Sequence, residues 1–159
     1  MISCQVIMKI IYIFLLFSML LGCSEETMKA PIDFKNLTIP HTKPNYYLVC
    51  PKNICHIDTN PSPIYKTTAD NLYHTTISII HKIERTKIIH QDNKNYKLLF
   101  VQKTRLFKFP DYIDIQIFPT EGNKSTIAIF SRAEYGYYDF GVNKRRVINL
   151  ITELSKIHS

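Results

Sequence analysis

The sequence predicts an α+β domain with two layers, in which an antiparallel sheet of about four strands carries two helices packed on one face. Apolar residues recur at helical spacing in segments 67–85 and 143–158. Between these segments lie four runs rich in β-branched and aromatic residues, separated by turn signals. In the run 111–119, isoleucines alternate with Asp114 and Gln116, which indicates a sheet with one covered face.

The first 22 residues are predicted to be a secretory signal that is removed. Lys9 precedes twelve apolar or nearly apolar residues, Ile10–Leu21, and Gly22 and Cys23 follow. A membrane-spanning helix needs about 20 such residues, so this run is too short to span. A charged start, an apolar middle and a small residue at the cut are typical of a signal peptide. Met8 is an alternative start to Met1.

The cut site itself resembles the lipobox of bacterial lipoproteins. It reads Leu20-Leu21-Gly22-Cys23, and the resemblance implies that Cys23 is lipidated with a diacylglyceryl group and N-acylated. Two or more acyl chains anchor a protein stably. The expected location is therefore a bacterial membrane surface facing the periplasm, with Ser24 favouring the outer membrane over the inner. An ordinary signal peptide with a chance cysteine, or a short buried helix, is the alternative.

Residues 23–45 are predicted to be the lipidated cysteine and a flexible tether, and residues 46–159 a single domain. The tether carries prolines at 31, 40 and 44, scattered charges and no period. Removal of 1–22 deletes Lys9 and no acid, so the net charge falls from +7 to +6. For an exported protein this excess favours an anionic bilayer surface or envelope component rather than nucleic acid. A lysine-rich composition with no partner explains it equally well, and protein partners stay unknown.

Cys50 and Cys55 are expected to form a disulfide, because two cysteines left over outside the cytoplasm usually pair. A metal site with adjacent His56 is the alternative, but no fourth ligand stands at a recognisable zinc spacing. We therefore predict no metal and no cofactor.

The remaining elements follow from periodicity. Residues 46–66 are predicted to be irregular, although they contain the short apolar run Tyr46–Val49. Thr67 or Thr68 is suited to cap the first helix. The predicted strands are 86–91, 95–105, 111–119 and 124–132. In the last helix the apolar positions at helical spacing are Val147, Leu150, Ile151, Leu154 and Ile157.

The corner before the last helix, "SRAEYGYYDFGVNKRR" (131–146), holds two of the four glycines of the chain. Its pattern G-x-x-D-x-G-x-N-x-x-R runs from Gly136 to Arg146 and resembles the signature of a bacterial family, domain of unknown function 1499. The resemblance covers roughly residues 50–155 and implies no activity. Two arginines of the family pattern fall on Phe130 and Glu134, and Arg132 lies between them.

Two interpretations of this corner remain open. A helix N-terminus beside arginine suits an anion, which Asn143, Lys144 and Arg146 would bind while Tyr137 or Tyr138 stacks on it. Alternatively Arg146 pairs inside the fold with one of the aspartates at 111, 114 and 139. The tyrosines are interpreted as half-buried packing residues, with a carbohydrate-stacking platform as the alternative. The candidate set is Arg132, Gly136, Tyr137, Asp139, Gly141, Asn143, Lys144 and Arg146.

The leading functional hypothesis is a membrane-anchored periplasmic lipoprotein with a small binding or scaffolding domain. The rival hypothesis is a small cell-envelope enzyme, hydrolase-like, that uses Asp111, Asp114 or Asp139 with a nearby histidine. The sequence contains no G-x-S-x-G, H-E-x-x-H or phosphate-binding glycine loop. A purely structural envelope protein is a third possibility.

Overall fold

A computed structural model describes residues 30–39 and 43–158. Cys23 and the predicted signal peptide lie outside this part of the chain. Within the described residues the fold is α+β, with two helices and an antiparallel sheet of six strands. The elements are β1 (Tyr46–Val49), β2 (Ile64–Tyr65), α1 (Ala69–Lys82), β3 (Thr86–Asp92), β4 (Lys97–Lys103), β5 (Pro110–Thr120), β6 (Lys124–Ala133) and α2 (Val142–His158). Neither helix in these residues is long and apolar enough to cross a bilayer.

The expectation of about four strands is too low. β3 to β6 form the predicted meander, and the strand order is β1-β6-β5-β4-β3. The two additional strands, β1 and β2, both pair with the outer edge of β6, at its end and at its beginning respectively. They are four and two residues long, so the region 46–66 shows too little alternation to reveal them.

The two faces of the sheet have different covers. One face packs against both helices, and its core contains Leu72 and Tyr73 of α1 together with Val147, Leu150 and Leu154 of α2. Ile113, Ile115 and Ile117 of β5 point to this helix face, as their alternation predicted. The N-cap of α1 is Thr68, whose hydroxyl accepts a hydrogen bond from the Asn71 N–H at 3.3 Å.

The opposite face, called here the second face, is partly covered by residues 30–39. Asp33 caps a single 3-10 turn, Phe34–Asn36, and the Phe34 ring is 1 % exposed. It packs with Leu48 and Phe130 of the sheet. Ordered packing therefore begins nearer the N-terminus than residue 46, because apolar side chains between the prolines of the predicted tether fill this face.

The loop after β1 is closed by a bond between Cys50 and Cys55, whose Sγ atoms lie 2.00 Å apart. The Pro51 carbonyl accepts hydrogen bonds from the N–H groups of Ile54 and Cys55 at 2.9 and 3.2 Å. Both sulfur atoms belong to the cluster around Phe34. Among the described residues no group of three His, Cys, Asp or Glu side chains is arranged to hold a metal ion.

Candidate functional site

The corner between β6 and α2 is held by Asp139. One carboxylate oxygen of Asp139 accepts a hydrogen bond from the Gly141 N–H at 3.0 Å, and the other accepts from the Asn143 N–H at 2.7 Å. Gly136 and Gly141 have φ angles of 89° and 73°, which only glycine adopts readily. Asp139 is therefore the cap of α2, and it is not the partner of Arg146.

Arg146 lies one turn into α2 and faces the sheet, where it has three partners, and a fourth partner lies on its own helix. Its Nη2 donates to the Asp111 carboxylate at 2.5 Å and its Nε to the Gln102 side-chain carbonyl at 2.6 Å. Its Nη1 donates to the Ser131 hydroxyl at 2.9 Å and to the Asn143 side-chain carbonyl at 2.7 Å. The side chains of Arg146 and Asp111 are only 10 % and 6 % exposed. Arg146 is therefore used inside the fold, and its partner among the three candidate aspartates is Asp111.

Asn143 extends this network to the first strand. Its side-chain N–H donates to the Asn45 carbonyl at 2.9 Å, and its side-chain oxygen also accepts from the Ser131 hydroxyl at 2.6 Å. Asn45 in turn donates to the Gly136 carbonyl at 2.7 Å. Because Asn143 is fully buried, it has no surface with which to meet a ligand. This network fixes β1, β4, β5, β6 and α2 relative to one another.

Burial raises the pKa of the Asp111 carboxyl above its ordinary value. The hydrogen bond and the charge of Arg146 act in the opposite direction, and the Asp139 carboxylate adds a smaller increase. A carboxylate in this position depends on its arginine, since an unpaired buried charge is costly.

Asp114 and Arg132 form a second pair on the second face of the sheet. Asp114 is 1 % exposed, forms a salt bridge with Arg132, and accepts the Ile32 N–H at 3.0 Å. The Arg132 guanidinium carbon lies 5.1 Å from the centre of the Phe130 ring. Asp111 and Asp114 thus point to opposite faces, and the structure does not bring them together.

The histidines do not join either pair. His74 lies 3.7 Å from Asp70 on the exposed side of α1, and the His158 ring hydrogen-bonds the Thr75 hydroxyl at 3.0 Å. The convergence of a histidine with two carboxylates, on which the enzyme hypothesis depends, is not present in the described residues.

A groove of about 300 Å³ opens beside Arg146, between the end of α1, the first half of α2 and strand β4. Its apolar side chains are Ile79, Ile83, Val142 and Leu150, and its polar ones are Gln102, Arg145, Arg146, Asn149 and Glu153. This volume is at the lower end of the range for small-molecule sites. We call this feature the Arg145 groove.

Sequence reasoning missed Gln102, Arg145, Asn149 and Glu153 as lining residues. The signal was available in part, because Arg145, Asn149 and Glu153 are four residues apart and therefore form one stripe along α2. Lys144, which the anion hypothesis included, is exposed and does not line the groove.

The tyrosines of the corner are not half-buried packing residues. Tyr137 and Tyr138 are 54 % and 67 % exposed, and their rings meet edge to face with centroids 4.7 Å apart. Neither of them lines the Arg145 groove.

Comparison with known families identifies a match over most of the chain. The profile of a family described as "Protein of unknown function (DUF1499)" matches residues 36–154, which include the whole corner and both arginine–aspartate pairs. Comparison with curated proteins finds no significant match.

Proposed function

The chain belongs to the DUF1499 family of proteins of unknown function, and from this premise we propose that it is a membrane-anchored lipoprotein of the bacterial periplasm with a small ligand-binding domain. The ligand would combine a small apolar body with an acidic group. It would bind in the Arg145 groove, and a lipid on Cys23 would hold the domain at the membrane, with the outer membrane favoured by Ser24.

The composition of the groove carries this proposal. Four aliphatic side chains would contact the apolar part of a ligand, while Arg145 supplies positive charge at the same opening and the Glu153 carboxylate is paired with Lys156 at 2.6 Å. Arg146 donates four hydrogen bonds inside the fold and its charge is paired with Asp111, so Arg145 would make the main charged contact with the ligand. Arg145 donates one hydrogen bond, at 3.0 Å to the Phe140 carbonyl, and its planar guanidinium has further N–H groups for a carboxylate or phosphate.

Binding is favoured over catalysis by the state of the carboxylates. Asp111 and Asp114 are each paired with an arginine, and both oxygens of Asp139 accept backbone hydrogen bonds. A general acid or base needs a proton it can exchange with substrate, and these groups are engaged within the fold. Among the residues that the structure describes, no observation favours the alternative of a small envelope enzyme.

Native mass spectrometry of the detergent-extracted protein tests the binding proposal. We expect a co-purifying acidic amphiphile in the unmodified protein and at least about tenfold less of it in Arg145→Gln, because one charged contact is lost. Lys144→Gln is the matched control, since it removes a neighbouring cation that does not line the groove. Equal loss in both variants, or no ligand in the unmodified protein, would contradict the assignment.

The anchor has a separate test. Cys23→Ser is expected to move the processed protein out of the membrane fraction and to abolish the mass added by acylation. If the variant stays with the membrane and keeps its mass, the protein is not a lipoprotein, whatever the groove binds.

A further inference from the structure

Exposed apolar side chains are concentrated at one end of the domain. Ten large apolar residues are exposed in the described part of the chain, and seven of them lie in two neighbouring loops. Loop 104–109 contributes Leu106, Phe107 and Phe109, and loop 134–141 contributes Tyr135, Tyr137, Tyr138 and Phe140. We call these seven residues the aromatic end. Such a concentration on a small domain marks an interaction site, whereas singly scattered apolar residues need no explanation.

The aromatic end is built by specific contacts. In the first loop the Thr104 N–H donates to the Phe109 carbonyl at 2.8 Å, and the Thr104 hydroxyl accepts the Phe109 N–H at 2.9 Å. This closure stacks the Phe107 and Phe109 rings with centroids 5.5 Å apart. Phe109 then contacts Tyr135 at 5.5 Å, so the two loops form one surface.

Core packing does not explain the presence of a phenylalanine at position 140. Its side chain is 89 % exposed, and its backbone has a φ of 51°, a left-handed conformation that is uncommon for a bulky residue. The Phe140 carbonyl accepts a hydrogen bond from the Arg145 guanidinium, but the Phe140 ring itself is exposed. A costly conformation that presents an aromatic ring to the outside suits a contact made with something beyond the domain.

A basic depression adjoins this surface on the second face. It has a volume of about 340 Å³ and is lined by Arg85, Lys87, Lys103 and Lys108 with Thr86 and Val101. Of these cations, Arg85 is paired with Glu84 at 2.8 Å. Lys108 belongs also to loop 104–109, between the stacked phenylalanines, so the depression and the aromatic end are continuous.

We propose that the aromatic end and the basic depression together form a peripheral membrane-binding surface for anionic phospholipid. The tyrosine rings would lie at the level of the headgroups, where tyrosine is favoured, and the phenylalanine rings would be buried at the boundary with the acyl chains. The depression receives a lipid phosphate, and its neighbouring cations are attracted to an anionic leaflet. Aromatic side chains flanked by lysine and arginine match such a leaflet in both polarity and charge. This assignment does not depend on the groove ligand or on how the chain is anchored.

The absence of tryptophan from the sequence makes a direct test available. Single tryptophans are introduced in the full chain as Phe107→Trp, Phe140→Trp and, for control, Ile64→Trp. Ile64 is 66 % exposed but pairs with Thr126 near the start of β6, whereas the loops adjoin its end at Ala133. Each protein is reconstituted into phosphatidylcholine vesicles that contain phosphatidylglycerol and brominated lipid, and circular dichroism confirms folding.

We expect blue-shifted emission from Phe107→Trp and Phe140→Trp and at least roughly twofold stronger bromine quenching than for Ile64→Trp. Equal quenching at the three positions would overturn the proposal, because the surface would then have no preferred contact with lipid. A blue shift without quenching would also overturn it, since a second copy or another protein would be covering the rings.

The basic depression is tested in the same system. Lys87→Gln combined with Lys108→Gln, in the Phe107→Trp background, is expected to reduce quenching to the level in vesicles of phosphatidylcholine alone. The control pair, Lys52→Gln with Lys66→Gln, removes the same charge far from the depression and is expected to leave quenching unchanged. Equal effects of the two pairs would refute a role for the depression.

Discussion

Replacement of Arg146 by methionine isolates the energetic role of the buried pair. Arg146→Met keeps much of the side-chain volume but leaves the Asp111 carboxylate, 6 % exposed, without a counter-charge. It also removes the donors that reach Gln102, Ser131 and Asn143. Removing one partner of a buried ion pair typically costs about 3–5 kcal/mol, because an unpaired charge stays behind.

The stability lost because the Asp111 charge is unpaired has an upper limit that depends on pH. The unpaired Asp111 can escape its charge by binding a proton, and its ordinary pKa is 3.8. At 1.36 kcal/mol per pH unit, protonation costs about 4 kcal/mol at pH 7 and about 1 kcal/mol at pH 4.5. The folded pKa of this carboxyl then lies above its unfolded value. Its contribution to stability is therefore fully present below about pH 3.8 and is lost as the pH rises through the folded pKa.

The assay is urea unfolding of the variant and the unmodified protein at both pH values, followed by circular dichroism. We expect Arg146→Met to lose at least about 4 kcal/mol of stability at pH 7, and we expect this loss to be about 3 kcal/mol smaller at pH 4.5, because the cost of the lost hydrogen bonds does not change between the two pH values. Arg145→Met, on the same helix turn but exposed, controls for loss of an arginine. A destabilisation that is equal at the two pH values, or no larger than in the control, would refute the reasoning.

Three further predictions concern stability, each measured by the same unfolding assay. Burial raises the pKa of Tyr65 to about 12 against a smaller opposing contribution from Ser155, and within the described residues its hydroxyl makes no hydrogen bond of good geometry. Tyr65→Phe should therefore be neutral or stabilising, whereas Tyr73→Phe, which loses the hydrogen bond to Asn93 at 3.0 Å, should cost about 1 kcal/mol; the reverse order would contradict this account. Asp139→Ala should cost about 1–2 kcal/mol and Asp139→Asn clearly less, and equal losses would show that capping is not its role. Reductant should lower the free energy of unfolding of the unmodified protein by about 2 kcal/mol and leave that of the double variant Cys50→Ala, Cys55→Ala unchanged. If reductant leaves the unmodified protein unchanged as well, the bond between Cys50 and Cys55 is absent from the isolated protein.

The helices and the meander could be predicted because their periodicity is long. Segments 67–85 and 143–158 contain several apolar positions each, and four consecutive strands are separated by recognisable turns. β1 and β2 could not be predicted, because they exist only through the exposed edge of β6. The packing of Phe34 was missed for a similar reason. It is a tertiary contact of a segment without repeating hydrogen bonds, and no local pattern encodes it.

At the site, the sequence predicted the corner but left the partner of Arg146 open. The alternation along β5 contains the answer, since Asp111 shares a face with Ile113 and Ile115 while Asp114 points the other way. Arg146 pairs with Asp111 because α2 packs on the face of the sheet that carries the isoleucines, and the sequence alone does not show on which face α2 packs. The exposure of the aromatic loops was not predictable, because the side chains of tyrosine and phenylalanine are more often buried against the protein than exposed to solvent.

The packing of residues 30–39 on the sheet shortens the connection to the lipid anchor that we propose at Cys23. The tether was predicted to comprise the 23 residues 23–45, whereas only seven peptide units separate Cys23 from Ala30. The contour length of this connection is at most about 25 Å. A domain on so short a connection experiences an effective concentration of membrane surface in the millimolar range. A binding surface with a dissociation constant of about that size would be occupied much of the time, which makes strong lipid affinity unnecessary and allows rapid release.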